Sequence, residues 1–171
     1  MNGEAAFDPY ALLQALERES VSFVVVGGFA RVVHGSAEST EGLDIVPSLR
    51  EENLRRLARA LESLGGTGAD GRPVRPDELT TETPFTAETG AGRLTVAAMP
   101  WGTRGYDDIR IRGNRESLGR GVRPQIASLV DLTRMLEASP RDQDRERLQR
   151  LRRLMELERQ LSRRRGAGIE R

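Results

Sequence analysis

Absences narrow the chemistry open to this sequence. It has no cysteine and one histidine, and all 27 of its basic residues are arginine. Thiolate metal sites and disulfides are therefore excluded, and so are Schiff-base lysines, lysine general bases and the lysine of a P-loop. His34 is the only imidazole, and no Ser, Cys or Asp stands at a spacing that argues a triad with it, so it reads as a packed structural histidine. Asp107-Asp108 reads as a loop or helix-cap pair. What remains is a short set: Gly27-Gly28 at the end of an apolar run, Arg31 just after it, Thr40 and Glu41 before a second apolar run, and Asp44 inside that run. Each also has a structural reading. A glycine pair ends strands, an arginine on a helix is commonly solvated, a threonine caps turns, and a lone aspartate can be a strand-end acid.

The elements that must position these residues follow from periodicity and punctuation. Asp8-Pro9 predicts a capped helix start, with Leu12, Leu13 and Leu16 on its apolar side. Val21 to Val26 is rich in β-branched residues and nearly continuous in apolar character, which predicts a strand covered on both faces. Phe29 to His34 predicts a short helix, and Leu43 to Val46 a second strand. Ser48 with Glu51 has the spacing of a capping box, opening a helix with Leu54, Leu57, Leu61 and Leu64 on one face. Residues 67–82 read as a loop. Pro84 to Thr89 and Arg93 to Met99 read as a hairpin turning at 90–92. Ile109 to Arg112 and Val122 to Ile126 are weaker strands. Ser128 with Asp131 opens a capped helix, and Ser139-Pro140 starts the last and longest one, striped by Leu148, Leu151, Leu154, Leu157 and Leu161.

This order predicts an α/β (α+β) chain: a small mixed β-sheet flanked by helices, not a doubly wound domain of Rossmann type. One domain over 1–162 is expected, with its core at about 21–126, C-terminal helices at 128–162, and an unstructured basic tail at 163–171. Length and composition agree, with 171 residues, 37% hydrophobic and 31% charged. No stretch is long and apolar enough to span a bilayer, and the first residues lack a basic-then-apolar leader pattern, so cytoplasmic residence and no membrane partner are expected. The net charge of +1 argues against a field that steers nucleic acid. On the last helix, Glu146, Glu156 and Glu158 interleave with the arginines, as on a solvated face.

One passage is more specific. Val24-Val25-Val26-Gly27-Gly28-Phe29-Ala30-Arg31-Val32-Val33-His34-Gly35, followed by Ser39-Thr40-Glu41-Gly42-Leu43-Asp44-Ile45-Val46-Pro47, resembles the signature of the nucleotidyltransferase superfamily that includes DNA polymerase β. The resemblance is greatest to its small bacterial members, among them the nucleotidyltransferase toxins of toxin–antitoxin pairs. Weaker likeness continues through 92–96, 100–106 and 127–144. The resemblance implies a nucleotidyltransferase-like fold, an NTP as partner, and Mg²⁺ as cofactor. It implies that Gly27, Gly28, Arg31 and Thr40 hold the triphosphate and that Asp44 is the catalytic metal carboxylate.

The sequence departs from that pattern at two ligand positions. Gly42 stands where the family places its first metal Asp, and Thr95 stands at the third carboxylate. Glu41 or Glu38 would have to replace the missing ligands, although Glu41 on a regular strand faces away from Asp44. Near the closing helices, Leu136 and Gln143 stand where these relatives often carry basic residues. The expectation is a nucleotidyltransferase-fold protein whose transfer of a nucleoside monophosphate to an RNA, protein or small-molecule acceptor is weak or lost. The alternative is a non-catalytic nucleotide- or protein-binding module, such as a toxin–antitoxin-related pseudoenzyme, that meets a partner or a second copy through its C-terminal helices.

Overall fold

The computed structural model describes residues 5–167. Asp8 and Pro9 open helix α1 (Pro9–Arg18) as their types dictate: Asp8 Oδ1 accepts the Ala11 amide at 3.1 Å, and proline fills the first turn, where no amide donor is needed. Leu12, Leu13 and Leu16 are buried beneath it. Asp8→Ala is expected to lower stability by about 1 kcal/mol, read from the midpoint of a urea titration.

The continuous apolar run becomes the centre of the sheet. Strand β1 (Phe23–Val26) is buried at all four positions. It pairs antiparallel with β2 (Gly42–Pro47) and parallel with β6 (Gln125–Ile126). On the far side of β2 lies β4 (Gly92–Val96), parallel to it, then β3 (Phe85–Thr89), antiparallel to β4 across the expected turn. Strand β5 (Asn114–Arg115) closes the other edge against β6. The order β3-β4-β2-β1-β6-β5 gives six strands in one mixed sheet. Between β1 and β2 runs the short helix α2 (Gly27–Val33), which begins two residues earlier than its sequence suggested.

Three local expectations are corrected. Helix α3 (Glu51–Ser63) starts after Arg50, and no side chain caps it. Ser48 is committed elsewhere: its amide donates to the Ser22 carbonyl at 3.0 Å, and its carbonyl accepts from Asn53 Nδ2 at 2.8 Å. Buried Asn53 also accepts the Ser22 amide, so it knits the end of β2 to the start of β1. The expected strand at 109–112 is instead preceded by a helical turn, α4 (Tyr106–Ile109), because the Asp108 carboxylate accepts the Arg104 amide at 2.9 Å and closes the chain on itself. The loop at 67–82 contains a 3₁₀ turn, Pro76–Thr80.

Helix α5 (Leu129–Ala138) has the predicted cap, with Ser128 Oγ accepting the Asp131 amide at 3.0 Å. Helix α6 (Gln143–Ala167) begins three residues after Pro140. Its Leu151 is fully buried, Leu148 and Leu154 pack against the core, and Leu157 and Leu161 are exposed. The leucine stripe thus reaches the body only over its first half. The segment expected to lack structure from 163 continues α6 through Ala167, and 168–171 lie outside the described residues. None of the described helices is long and apolar enough to cross a membrane.

Candidate functional site

Antiparallel pairing sets Val26 opposite Asp44, and parallel pairing sets Asp44 opposite Thr95. These registers bring the end of β1, the middle of β2 and the middle of β4 to one floor. Immediately after Val26 the backbone turns at Gly27, whose φ of +68° is left-handed. A Cβ at Gly27 would lie 2.0 Å from Asp44 Oδ2. Glycine is therefore required twice, once for the turn and once because the Asp44 carboxylate rests against its Cα.

This floor belongs to a cleft of about 490 Å³, a size suited to a small organic ligand. Gly27, Arg31, Asp44 and Thr95 line one side; Met99, Pro100, Trp101, Met135 and Leu136 line an apolar wall; Arg141 and Asp144 come from the start of α6 and the loop before it. Trp101 is 46% exposed, and the Arg141 guanidinium carbon sits 5.1 Å from its ring centroid. The loop bearing Trp101 is held to α5 at two places. Gly102, at φ +73°, lies where a Cβ would be 2.8 Å from the Arg134 carbonyl. The Arg134 guanidinium bridges Asp108 at 2.8 Å and Asp131 at 3.1 Å.

The sequence-expected residues divide between two surfaces. Gly27, Arg31 and Asp44 share the cleft. Gly28 stands beside it: a Cβ there would meet Thr40 Oγ1 at 3.4 Å, Arg31 Nη2 at 3.5 Å and Glu38 Oε1 at 3.5 Å. The Thr40 hydroxyl donates to the Gly42 carbonyl at 2.9 Å, a strand-turn role. Arg31 is buried, contrary to the solvated reading, because Glu38 grips it through both Nε and Nη2, the latter at 2.9 Å. Glu41 is exposed and lines a separate hollow with Phe7, Glu88 and Arg93. Its offset of three residues from Asp44 turns it to the opposite face of β2. His34 Nε2 lies 2.8 Å from the Ala127 carbonyl, a packing contact between α2 and β6.

Sequence reasoning missed Arg141, Arg147 and Asp144. Leu136 and Gln143 directed attention to the wrong positions, while the arginines two residues before Gln143 and four after it converge on Asp144. The Asp144 side chain is 1% exposed and accepts from Ser139, from Arg141 Nε at 2.9 Å and from Arg147 Nη1 at 2.8 Å. Burial alone would raise its pKa, but the hydrogen bonds from Ser139, Arg147 and Arg141 outweigh that and hold the carboxyl below its ordinary range. Glu38 behaves alike, with bonds from Arg31 and Ser36 overcoming the cost of burial.

Asp44 goes the other way. Desolvation on the cleft floor raises its pKa, against the pull of Arg31, Arg141 and Arg147 and a hydrogen bond from Thr95. Thr86 Oγ1 lies 3.2 Å from Thr95 Oγ1, and either hydroxyl can donate to the other.

The donor set does not fit the magnesium centre that the resemblance implied. Mg²⁺ is bound by hard oxygen ligands, and a two-ion site needs several carboxylates. Here Asp44 is flanked by glycine at 42 and threonine at 95, Glu38 and Asp144 are committed to arginines, and three guanidiniums act on the floor. Among the described residues no three His, Cys, Asp or Glu side chains gather as a metal ion requires. The position at 42 is also tight: a Cβ there would be 3.0 Å from the Arg93 carbonyl, which would have to give by a few tenths of an ångström.

The mixed sheet flanked by helices, with its cleft at the β1–α2 turn, is a nucleotidyltransferase-like α/β fold. The chain is similar to the solution structure of the antibiotic-resistance factor ANT(2'')-Ia, with a TM-score of 0.57 and 17% sequence identity over 94% of this chain and 92% of that one. A crystal structure of ANT(2'')-Ia in complex with adenylyl-2''-tobramycin gives a TM-score of 0.49 and 15% identity, over 83% of this chain and 84% of that one. No family model and no curated protein sequence matches the chain.

Proposed function

We propose that the cleft holds a nucleoside triphosphate and that transfer of the nucleotidyl group from it is weak or lost. The observation that carries this reading is the floor itself: Asp44 lies against Gly27 and in register with Thr95, and of the other carboxylates lining the cleft Asp144 is committed to arginines and Glu82 is exposed. The fold supports the ligand class. So do the cleft volume, the aromatic wall at Trp101 and the arginines at 31 and 141. Without two bridging ions, the developing charge of phosphoryl transfer is stabilised only by guanidiniums, and losing direct metal ligands is expected to cost roughly 10²- to 10⁴-fold in rate.

Labelled NTPs incubated with the protein, Mg²⁺ or Mn²⁺, and RNA, protein or small-molecule acceptors test the reading. Binding with transfer at background supports it; rapid transfer refutes it. A gain-of-function variant sharpens the comparison. Thr95→Asp places a carboxylate in register with Asp44, without the crowding that Gly42→Asp would meet at Arg93. Two acids on one desolvated floor repel, so the variant is expected to lose about 1–2 kcal/mol in metal-free buffer. Millimolar Mg²⁺ or Mn²⁺ should return most of that loss as a rise in Tm, whereas the parent protein's Tm stays unchanged. Equal metal responses would contradict the placement of Thr95 beside Asp44.

A further inference from the structure

We propose that this cleft takes its nucleoside polyphosphate free of magnesium, with the guanidiniums of Arg31 and Arg141 supplying the positive charge that a divalent ion would otherwise bring. The inference rests on nucleotide binding in the cleft and says how the phosphates are held there.

Four observations lead to it. First, Arg31 is fixed: Glu38 occupies its Nε and Nη2, which leaves Nη1 outside that pair, and the side chain lines the cleft beside Gly27. Secondly, Arg141 is fixed from the opposite side. Its Nε and Nη2 meet Asp144 Oδ2, both at 2.9 Å, its plane lies near the Trp101 ring, and its Nη1 takes no part in the Asp144 pair. A guanidinium already held in position loses less freedom on meeting a phosphate, and its fork matches two phosphate oxygens. Thirdly, Trp101 at 46% exposure and Met99 at 53% are large apolar groups left open on the same wall, which suits the flat face of a nucleobase beside the phosphate sites. Fourthly, the floor is hostile to a divalent cation. The Asp44 carboxylate there is desolvated, and Arg31, Arg141 and Arg147 all bear on it.

Magnesium on the nucleotide then becomes a competitor rather than a helper. It neutralises the phosphate oxygens that the arginines would bind, and it brings its own charge toward three others of the same sign. Free nucleotide is expected to bind about as tightly as the magnesium complex or several-fold tighter.

Calorimetry of the full chain with each of the four common ribonucleoside triphosphates, in EDTA and again in Mg²⁺, gives the test. Equal or tighter binding in EDTA supports the proposal. Binding that appears only with Mg²⁺ overturns it while leaving the reading of the cleft intact, whereas no binding in either buffer ends both. Two variants separate the arginine from the acid. Arg141→Ala, on a half-exposed side chain, is expected to weaken binding in EDTA by about tenfold or more, since a charge-assisted pair is lost; an unchanged Kd overturns the proposal. Asp44→Asn removes the carboxylate a metal-based site would need and one negative charge from the floor. It is expected to tighten binding in EDTA, and a loss of binding there overturns the proposal. Circular dichroism and Tm of both variants verify that the fold is kept.

Discussion

Gly27→Ala is expected to lower folding stability by about 3 kcal/mol, because two independent penalties fall on one methyl group. The backbone at Gly27 has φ +68°, where an L-residue costs roughly 1–2 kcal/mol. The added carbon would also lie 2.0 Å from Asp44 Oδ2 and 2.9 Å from its Cγ, an overlap that something must move to relieve. The strand pair holds both backbones, since Val26 and Asp44 are register partners, so the Asp44 side chain has to swing away. The two causes separate in a double-mutant cycle. Asp44→Ala leaves the backbone penalty and removes the overlapping oxygens, so Gly27→Ala should cost at least about 1 kcal/mol less in that background. Urea titrations of the four proteins read this directly. Additive costs, equal to within about 0.5 kcal/mol, would show that the carboxylate does not rest on Gly27. The same cycle bears on function, since the single variant displaces the Asp44 carboxylate from its place on the cleft floor.

Much of this arrangement was legible in the sequence, and what was not has identifiable causes. The run Phe23 to Val26 announced a central strand, because a continuous β-branched segment has only fully covered places to go. Gly27 and Asp44 were brought together by the resemblance to the nucleotidyltransferase signature, and the register of Val26 with Asp44 sets them side by side. Caps were read well where the competing partner was local, as at Asp8 and Ser128, and misread at Ser48, whose groups serve Ser22 and the side chain of Asn53. The fate of Arg31 depended on Glu38, seven residues away through an irregular loop with no periodicity to fix its reach. Arg141 and Arg147 were hidden for a related reason. Six residues apart around a helix start, they look like two more charges on a heavily charged segment, and only the buried Asp144 between them turns them inward. The sequence likewise marked positions 42 and 95 as lacking carboxylates, but not that the strand at 42 packs tightly against the Arg93 carbonyl.

Asp144→Asn is expected to cost about 2–3 kcal/mol at neutral pH and progressively less in acid. Removing one member of a buried, hydrogen-bonded ion pair commonly costs about 3–5 kcal/mol. The lower figure applies here because Arg141 and Arg147, at 51% and 37% exposure, can turn to water once the carboxylate is gone. The pH dependence follows from the direction of the shift. Asp144 has its folded pKa below the ordinary 3.8, so its contribution is fully present above that value and disappears as pH falls through the folded pKa. Parent and variant should therefore draw together in stability as pH falls below the ordinary carboxylate range. Asp44 runs in the opposite sense: its folded pKa lies above 3.8, so its ionisation costs stability as pH rises from about 4 through that value. Near neutrality the protein thus holds one aspartate that stabilises its closing helix and another that strains its cleft floor. Asp144 fixes Arg141 against Trp101, so the same substitution should also weaken nucleotide binding, by about three- to tenfold, through loss of the arginine's anchor. A stability difference that stays constant from pH 3 to pH 7 would mean that the buried carboxylate is not what joins α6 to the cleft.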